Sequence, residues 1–307
     1  MTSQTPKTLT EINNKHFNNR ATTYDGGINV IIAEKCAKAI LEEFGHNSSS
    51  DSDVNANEQA AEASGQENNN RIGLLDEGKT QVLDFACGTG LISQSLLPYV
   101  HSILGVDTSQ GMVDVYNQKC WQQGLTKDEM QAICVDLLGE EGGDPLDGQK
   151  FDLIVCASAY HHLGDIKSAT KILATYLKPG IGHLIVVDLQ LNPEFFQKFY
   201  NPEHSHHNPE HSHHNPEHSH HNPEHSHHNP EYSHKHHIPV SQTINNPGFS
   251  HDQMREAFEG SGLLENVIVR TAFSLKSEGV ELKYLLTKGR RSNLVEEASD
   301  YVDRKYT

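Results

Sequence analysis

Three aspartates stand at the carboxyl ends of three successive β-like runs: Asp84 in Val82–Phe85, Asp107 after Ser102–Val106, and Asp136 after Met130–Val135. The stretch Val82-Leu-Asp-Phe-Ala-Cys-Gly-Thr-Gly90 sets an acid at the end of an apolar run, then a turn of minimal side chains that opens a helix. Gly88 and Gly90 let a ligand approach the backbone closely. A dinucleotide fingerprint also follows a first strand, but there the turn and helix N-terminus receive a pyrophosphate. Here Asp84, four residues before Gly88, repels a phosphate and suits a cation, and Ser93 occupies the place of the third fingerprint glycine.

Asp107 is placed to accept both hydroxyls of a ribose. Three acids closing three successive strands therefore make an edge suited to a ligand with a cation, a ribose and an adenine. S-adenosylmethionine has all three and no phosphate. Each acid taken singly is equally readable as a helix N-cap; the ordered triple favours the ligand edge.

The elements that must position these acids are legible as alternation. From Gln81 to Gly289 short β-like runs alternate with helix-period stretches, the pattern of a parallel sheet wrapped by crossover helices. Strands are expected at Val82–Phe85, Ser102–Val106, Met130–Val135, Phe151–Cys156 and His183–Val187, with helices at Leu91–Pro98, Gln110–Gln123 and Ile166–Leu177, the last stopped by Lys178-Pro179-Gly180. Ser250 is placed to cap a helix to Gly260, and strands follow at Val267–Leu275 and Leu282–Thr287. Ser277-Glu278-Gly279 is too short for a parallel crossover, so the last pair is an antiparallel hairpin. Upstream, Val30–Phe44 has one apolar face and reads as a helix packed on the sheet.

Four segments lie outside this pattern: polar Met1–Thr10, Asn/Ser/acid-rich His46–Thr80, the His/Pro tract Asn201–His237, and charged Leu294–Thr307. They dilute the hydrophobic fraction to 35% of the 307 residues. The roughly 200 residues that remain suffice for one well-buried domain. Asn47–Asn70 is expected to be a disordered insertion. Asn201 opens four copies of Asn-Pro-Glu-His-Ser-His-His and a decayed fifth, holding fifteen of the 22 histidines. A proline in every copy and no apolar a/d positions exclude a coiled coil. Such a tract either binds soft divalent metals weakly or is a tandemly expanded loop without a selected role.

With 41 acidic against 24 basic residues the formal charge is −17, and no long Lys/Arg run relieves it, so a nucleic-acid partner is not expected. No apolar run reaches the roughly 20 residues of a spanning helix, and Met1–Lys15 lacks an apolar signal core, so the expected location is cytoplasmic. Cys36, Cys87, Cys120, Cys134 and Cys156 are odd in number and contain no C-x-x-C pair, which reads as reduced, mostly buried thiols rather than disulfides or zinc ligands. No resident metal site is expected.

On these motifs the chain resembles the class I S-adenosylmethionine-dependent methyltransferases, of the subgroup that includes the ubiquinone/menaquinone-pathway enzymes. The likeness rests on Phe17-Asn-Asn-Arg-Ala-Thr-Thr-Tyr-Asp25, Asp84–Gly90, Val106-Asp-Thr-Ser-Gln-Gly-Met112, Asp136-Leu137, Phe151–His162 and Leu177-Lys-Pro-Gly180. Ala86 stands where the family has its first glycine. The resemblance implies a Rossmann-like seven-stranded sheet, mostly parallel with an antiparallel C-terminal hairpin strand and helices on both faces. It implies domain limits of 81–200 and 238–293, preceded by an N-terminal segment and helix (1–45) serving as a cofactor lid.

It further implies site roles. Backbone around Ala86, Cys87, Gly88 and Gly90 cradles the methionine portion beside Asp84. Asp107 holds the ribose, Thr108 beside it is a further cofactor-binding residue, Met112 packs on adenine, and Asp136 with Leu137 meets the adenine edge. Carbonyls around Ala157 and Ser158 complete the ammonium site, and Tyr24 is either an aromatic lid or a surface ring on the first helix. Methyl transfer is an in-line displacement in which alignment and water exclusion matter most, so a base is optional. If one is used, His161, His162 and Tyr160 are the candidates at the ligand edge, although the histidines equally serve to orient the loop.

The Asn/Asp-Pro-Pro-Tyr/Phe sequence of amino-directed DNA and protein-glutamine enzymes does not follow the fourth strand. Leu191–Tyr200 either caps an apolar small molecule or buries against the core. The expected activity is S-adenosylmethionine-dependent methyl transfer to a small, hydrophobic or aromatic acceptor. A protein-directed enzyme, or a non-catalytic cofactor binder with a metal-buffering loop, are the alternatives.

Overall fold

The central strands are apolar along nearly their whole length because both of their faces are covered, as parallel sheets require. The computed structural model describes residues 8–46, 75–139, 144–193, 243–277 and 279–293. Five parallel strands, β1 (Gln81–Phe85), β2 (Ser102–Asp107), β3 (Met130–Cys134), β4 (Leu153–Ala157) and β5 (His183–Leu189), are joined by β6 (Leu264–Ser277) and β7 (Val280–Arg291). The order across the sheet is β3-β2-β1-β4-β5-β7-β6, with β7 antiparallel to both its neighbours. This is the seven-stranded, mostly parallel architecture with a C-terminal hairpin that the alternation predicts. Phe151 falls outside β4 and instead bridges to Leu177, while the hairpin strands run several residues longer than their apolar runs suggest.

Consecutive strand residues feed two opposite cores, as period-two alternation dictates. Val82, Val155 and Ile185 join one cluster with Cys36 and Ile40 of α2 (Ile28–Glu43) and Ile92 of α3 (Leu91–Leu96). Val113 and Tyr116 of α4 (Gln110–Gln122) belong to the same cluster. Leu83, Ile154 and Leu184 join the other with Leu173 of α5 (Ile166–Thr175) and Phe258 of α6 (His251–Glu259). Helices thus cover both faces. The caps are local: Ser109 accepts from the Met112 amide, Asp165 from Lys167 and Ser168, and Ser250 forms a capping box with Gln253.

One helix lies where no element was expected. Leu9–Arg20 (here α0, since it precedes the sheet-packed helices) opens with a Thr8/Glu11 capping box and spans residues whose polarity conceals it. The Thr-x-x-Glu spacing was the available signal. Asn18 Oδ1 accepts from the Gly111 amide at 2.6 Å and from Ser109 Oγ at 3.0 Å, and Asn14 Oδ1 accepts from Thr108 Oγ1 at 2.6 Å. These bonds lay α0 across the start of α4. At its far end α2 is held by Glu43, which accepts from Arg270 Nε at 2.9 Å and pairs with Lys288 of β7.

Chain order reverses between β1 and β4, with β2 and β3 laid to one side and β5 to the other. Connections leaving the carboxyl ends there diverge, opening the crevice where ligands bind in such sheets. The insertions expected at 47–70 and 201–237, the substrate-covering stretch after Pro193 and the charged tail lie outside the described residues. Among the described residues no helix is long and apolar enough to cross a membrane, and no cluster of His, Cys, Asp and Glu could hold a metal. Four cysteines are buried and Cys134 is exposed.

Close approach in the centre of the sheet depends on Gly105 of β2. A Cβ there would lie 2.7 Å from Cys87 Sγ and 3.0 Å from the Tyr116 ring. Gly105→Ala is expected to destabilise the fold by about 1–3 kcal/mol, the usual cost of overpacking, read as a lowered midpoint in urea unfolding.

Candidate active site

The turn after β1 is built from residues in the left-handed region: Ala86 at φ 56°, Gly88 at φ 53° and Gly90 at φ 85°. These conformations throw the chain sharply from β1 into α3, and the Gly88 amide turns toward β2. Asp107 closes β2 and accepts there, Oδ2 from the Gly88 amide at 2.9 Å and Oδ1 from the Ser109 amide at 2.8 Å. One carboxylate therefore ties together the loops that leave two adjacent strands. The two glycines differ in purpose. A Cβ on Gly88 would meet nothing within 4 Å, whereas one on Gly90 would strike the Tyr116 ring at 2.6 Å. Gly88 leaves room for a ligand; Gly90 is required by packing and does not line the cavity.

These loops enclose a cavity of about 410 Å³ at the carboxyl edge of the sheet, a size within the range for small-molecule sites. Asp84, Ala86, Cys87, Gly88, Asp107, Thr108, Met112, Ala157, Ser158 and Tyr24 all line it. Asp84 sits on the central strand, 1% exposed, and accepts from Ser93 Oγ at 2.6 Å. Burial pushes its carboxyl up to about 7; the Ser93 bond opposes this and the nearby Asp107 adds to it. Its recessed position raises Asp107 as well, against the backbone bonds from Ser109 and Gly88. Two carboxylates in one hollow are poorly solvated and repel each other, and a bound cation relieves both costs.

Across the cavity, Ser158 follows β4 at φ 53°, and its Oγ, near the Cys36 and Tyr284 side chains, is buried without a hydrogen bond of good geometry. Asn13 Oδ1 is in the same condition. A buried orphan acceptor or donor costs about 1–3 kcal/mol unless a ligand supplies the partner, so both atoms fit a polar guest. Tyr24 closes one side, edge-on to Phe17 at 6.3 Å. The following residue, Asp25, accepts from Thr89 Oγ1 and pairs with Lys119 of α4, which pins this turn over the glycine loop. Of the two readings of Tyr24, the geometry places it on the cavity wall.

Besides Gly90, three further expected site residues stand away from the cavity. Asp136 lies two residues beyond β3, exposed, with Oδ1 accepting from the Leu138 amide at 2.9 Å. Leu137 is buried in the core cluster on the α5 face. Neither lines the cavity, because β3 ends early and its loop turns back on itself. Tyr160 is fully buried, its hydroxyl 3.1 Å from Thr170 Oγ1 of α5, so it anchors the loop rather than facing a substrate.

His161 and His162 both reach the cavity, from a single 3-10 turn (Tyr160–His162). His161 Nδ1 is 2.7 Å from Oδ1 of Asp188 at the end of β5. His162 Nδ1 donates to the Thr243 carbonyl at 2.7 Å, its ring edge-on to Phe17 at 5.2 Å. Burial, aided by His161, drives the His162 imidazole down to about 3, so it is neutral. Asp188 was missed from sequence although it carries the same signature as the other acids, an apolar run ending in Asp. Arg20, at the end of α0, also lines the cavity and was not singled out.

Residues 82–180 match the family model described as Methyltransferase domain. Over 123 residues the chain is 44% identical to an uncharacterized methyltransferase of Schizosaccharomyces pombe, covering 40% of this chain and 43% of that one. It is 28% identical over 131 residues to a ubiquinone biosynthesis O-methyltransferase of Marinobacter nauticus, covering 41% and 52%. The chain thus spans about half the length of these curated relatives. Among solved structures, magnesium protoporphyrin IX methyltransferase from Synechocystis PCC 6803, with S-adenosylmethionine bound, shares the fold at 14% identity and a TM-score of 0.50, covering 94% of this chain and 100% of that chain.

A carboxyl raised from 3.8 to about 7 in the folded state makes the protonated form the stabilising one. Its contribution is present in full below the unfolded value and is lost as pH rises through 7. Replacing it by a neutral amide of the same shape removes that loss. Asp84→Asn is therefore expected to raise the melting temperature, the gain growing between about pH 4 and 7 and then levelling, in calorimetric scans across that range.

Proposed function

We propose that this chain, which carries a class I methyltransferase domain, binds S-adenosylmethionine in the cavity at the carboxyl edge of its sheet and methylates a small molecule seated beside it. The observation that carries this reading is the pairing of Asp84 and Asp107 in a ligand-sized hollow whose glycine loop leaves an opening at Gly88. When bound, S-adenosylmethionine supplies an electrophilic methyl group on a positively charged sulfur.

The residues present fit that group. Asp107, already oriented by two backbone amides, retains lone pairs to accept ribose hydroxyls. Asp84 and the carbonyls around Ala157 and Ser158 suit the ammonium of the methionine part. Arg20 suits its carboxylate, as a planar five-donor cation does. Met112 and Thr108 offer an apolar and a polar surface to the base. Asp136 and Leu137 are left out of this assignment, since they do not reach the cavity. Tyr24 and Phe17, held by α0 and the Asp25 contacts, exclude water from the reacting groups, which strengthens every electrostatic interaction inside.

The acceptor side is more apolar. Ile28, Ile32, Leu282 and Tyr284 line it, between the start of α2 and the hairpin. Ile28 is 39% exposed there, at the rim. A flat or aliphatic small molecule matches this wall better than an extended nucleic acid or a charged peptide. The relatives named as ubiquinone biosynthesis O-methyltransferases support an acceptor of that general kind.

Isothermal titration with S-adenosylmethionine tests the assignment directly. The full chain is expected to bind, and Asp107→Ala to lose about 10- to 100-fold in affinity, the worth of a charge-assisted hydrogen bond to a hydroxyl, with circular dichroism confirming an intact fold. Unchanged affinity in the variant would remove Asp107 from the site.

A further inference from the structure

The geometry points to His161 as the base that takes a proton from the acceptor, with Asp188 as its positioning residue, and so to an acceptor whose nucleophile is a neutral hydroxyl. This inference rests on the cofactor reading above and extends it to the substrate class.

Asp188 is 1% exposed on β5, beneath the cavity floor, with carboxylate oxygens directed at the loop after β4. Oδ1 lies 2.7 Å from His161 Nδ1 and accepts from the Leu189 amide at 2.6 Å, while Oδ2 accepts from the His161 amide at 3.4 Å. Burial opposes ionisation, yet the His161 imidazole and these bonds hold Asp188 below the usual carboxylate range. An ionised carboxylate only accepts, so Nδ1 of His161 carries the hydrogen and Nε2 carries the lone pair. His161 lines the cavity, and with Nδ1 held by Asp188 the Nε2 lone pair is the one left for a bound acceptor. The carboxylate fixes the tautomer and stabilises the imidazolium that forms when Nε2 takes a proton.

The neighbouring histidine is committed differently. His162 donates to a backbone carbonyl, has no carboxylate partner, and is the poorer proton acceptor of the two. Its ring, with a centroid 4.1 Å from that of His161, supports the first imidazole from the side. Tyr160 is turned into the core. One side chain in this loop thus has both a cavity face and a buried counter-charge.

A base matters only if the acceptor must lose a proton. In the step this arrangement serves, an oxygen lone pair of the acceptor forms the new C–O bond as the C–S bond breaks, and the sulfur leaves as a neutral thioether. The O–H proton passes to Nε2 of His161. Positive charge moves from sulfur to an imidazolium paired with Asp188, and nothing is oxidised or reduced. An amine acceptor is already nucleophilic when neutral, and a thiol ionises readily; neither needs a buried His–Asp pair as an un-ionised hydroxyl does.

Full-length protein is assayed at about pH 8.5 with S-adenosylmethionine and a graded series of hydroxyl probes, from catechol and phenol to 4-nitrophenol, which alone of the three is almost wholly ionised there. His161→Gln is expected to lower turnover of phenol and catechol by about 10²- to 10⁴-fold, the range for general base catalysis. Asp188→Asn is expected to lower it by about 10²-fold and Asp188→Glu to recover part of that loss. With 4-nitrophenol each loss shrinks to less than about tenfold, because no proton remains to be taken. Cofactor affinity by calorimetry stays within about threefold of wild type.

A second readout does not need turnover: the Nδ1–H proton of His161, identified by its absence in His161→Gln, is expected far downfield in the NMR spectrum and is expected to move upfield in Asp188→Asn. Equal losses across the series, no turnover of any hydroxyl probe, or no such proton would overturn the assignment. Failure of wild-type protein to bind S-adenosylmethionine would instead sink the cofactor reading on which it stands.

Discussion

Two carboxylates set into one hollow are the constraint on which the rest of this molecule turns. Asp84 and Asp107 occupy adjacent central strands, both recessed from water, and the charge of Asp107 adds to the burial that holds Asp84 against ionisation. A fold that only had to be stable would place neutral or apolar groups there. Their presence makes sense when a cation and a pair of hydroxyls complete the site, so that the strain in the free protein becomes binding energy in the complex.

The sheet makes that arrangement possible. Because β1 and β4 are neighbours whose onward connections run in opposite directions, the loops after them part and leave a space no side chain of the core fills. Everything near the space is then recruited to shape it. The glycine turn brings its backbone close, Asp107 ties two loops into one rim, and α0 crosses above with Asn14 and Asn18 bonded to the start of α4. Asp25, held by Thr89 and Lys119, keeps Tyr24 at the mouth. The same geometry carries Asp188 up beneath His161, so the buried Asp84–Asp107 pair and the His161–Asp188 contact flank one cavity.

Much of this was readable before any coordinates. The central strands announce themselves as short apolar runs, since a strand buried on both faces has no freedom to be polar. The hairpin followed from the shortness of its link, and the helices from apolar residues at helical spacing. What escaped was marked by weaker patterns. The helix Leu9–Arg20 is mostly polar because much of its surface bonds to the start of α4 and the loops beside it rather than packing in the core, leaving a Thr-x-x-Glu cap as its clearest trace. Asp188 shares the signature of the other acids, but it ends the fifth strand, away from the run of three successive strands that the first acids close. Asp136 and Tyr160 show the opposite: right in type and position along the chain, they lie away from the cavity, Asp136 exposed beyond β3 and Tyr160 buried against α5.

Sequence by itself determined the class of fold, the location of the glycine turn and the identity of the acids at the strand ends, because hydrophobic periodicity and backbone conformation are local properties that each residue expresses where it stands. Tertiary structure alone decided which of those acids share a cavity, that Gly90 serves Tyr116 rather than a ligand, and that His161 rather than His162 or Tyr160 is backed by a buried carboxylate. Those are relations between residues distant in the chain, fixed by strand order and by the direction in which loops leave the sheet, and no spacing along the polypeptide encodes them.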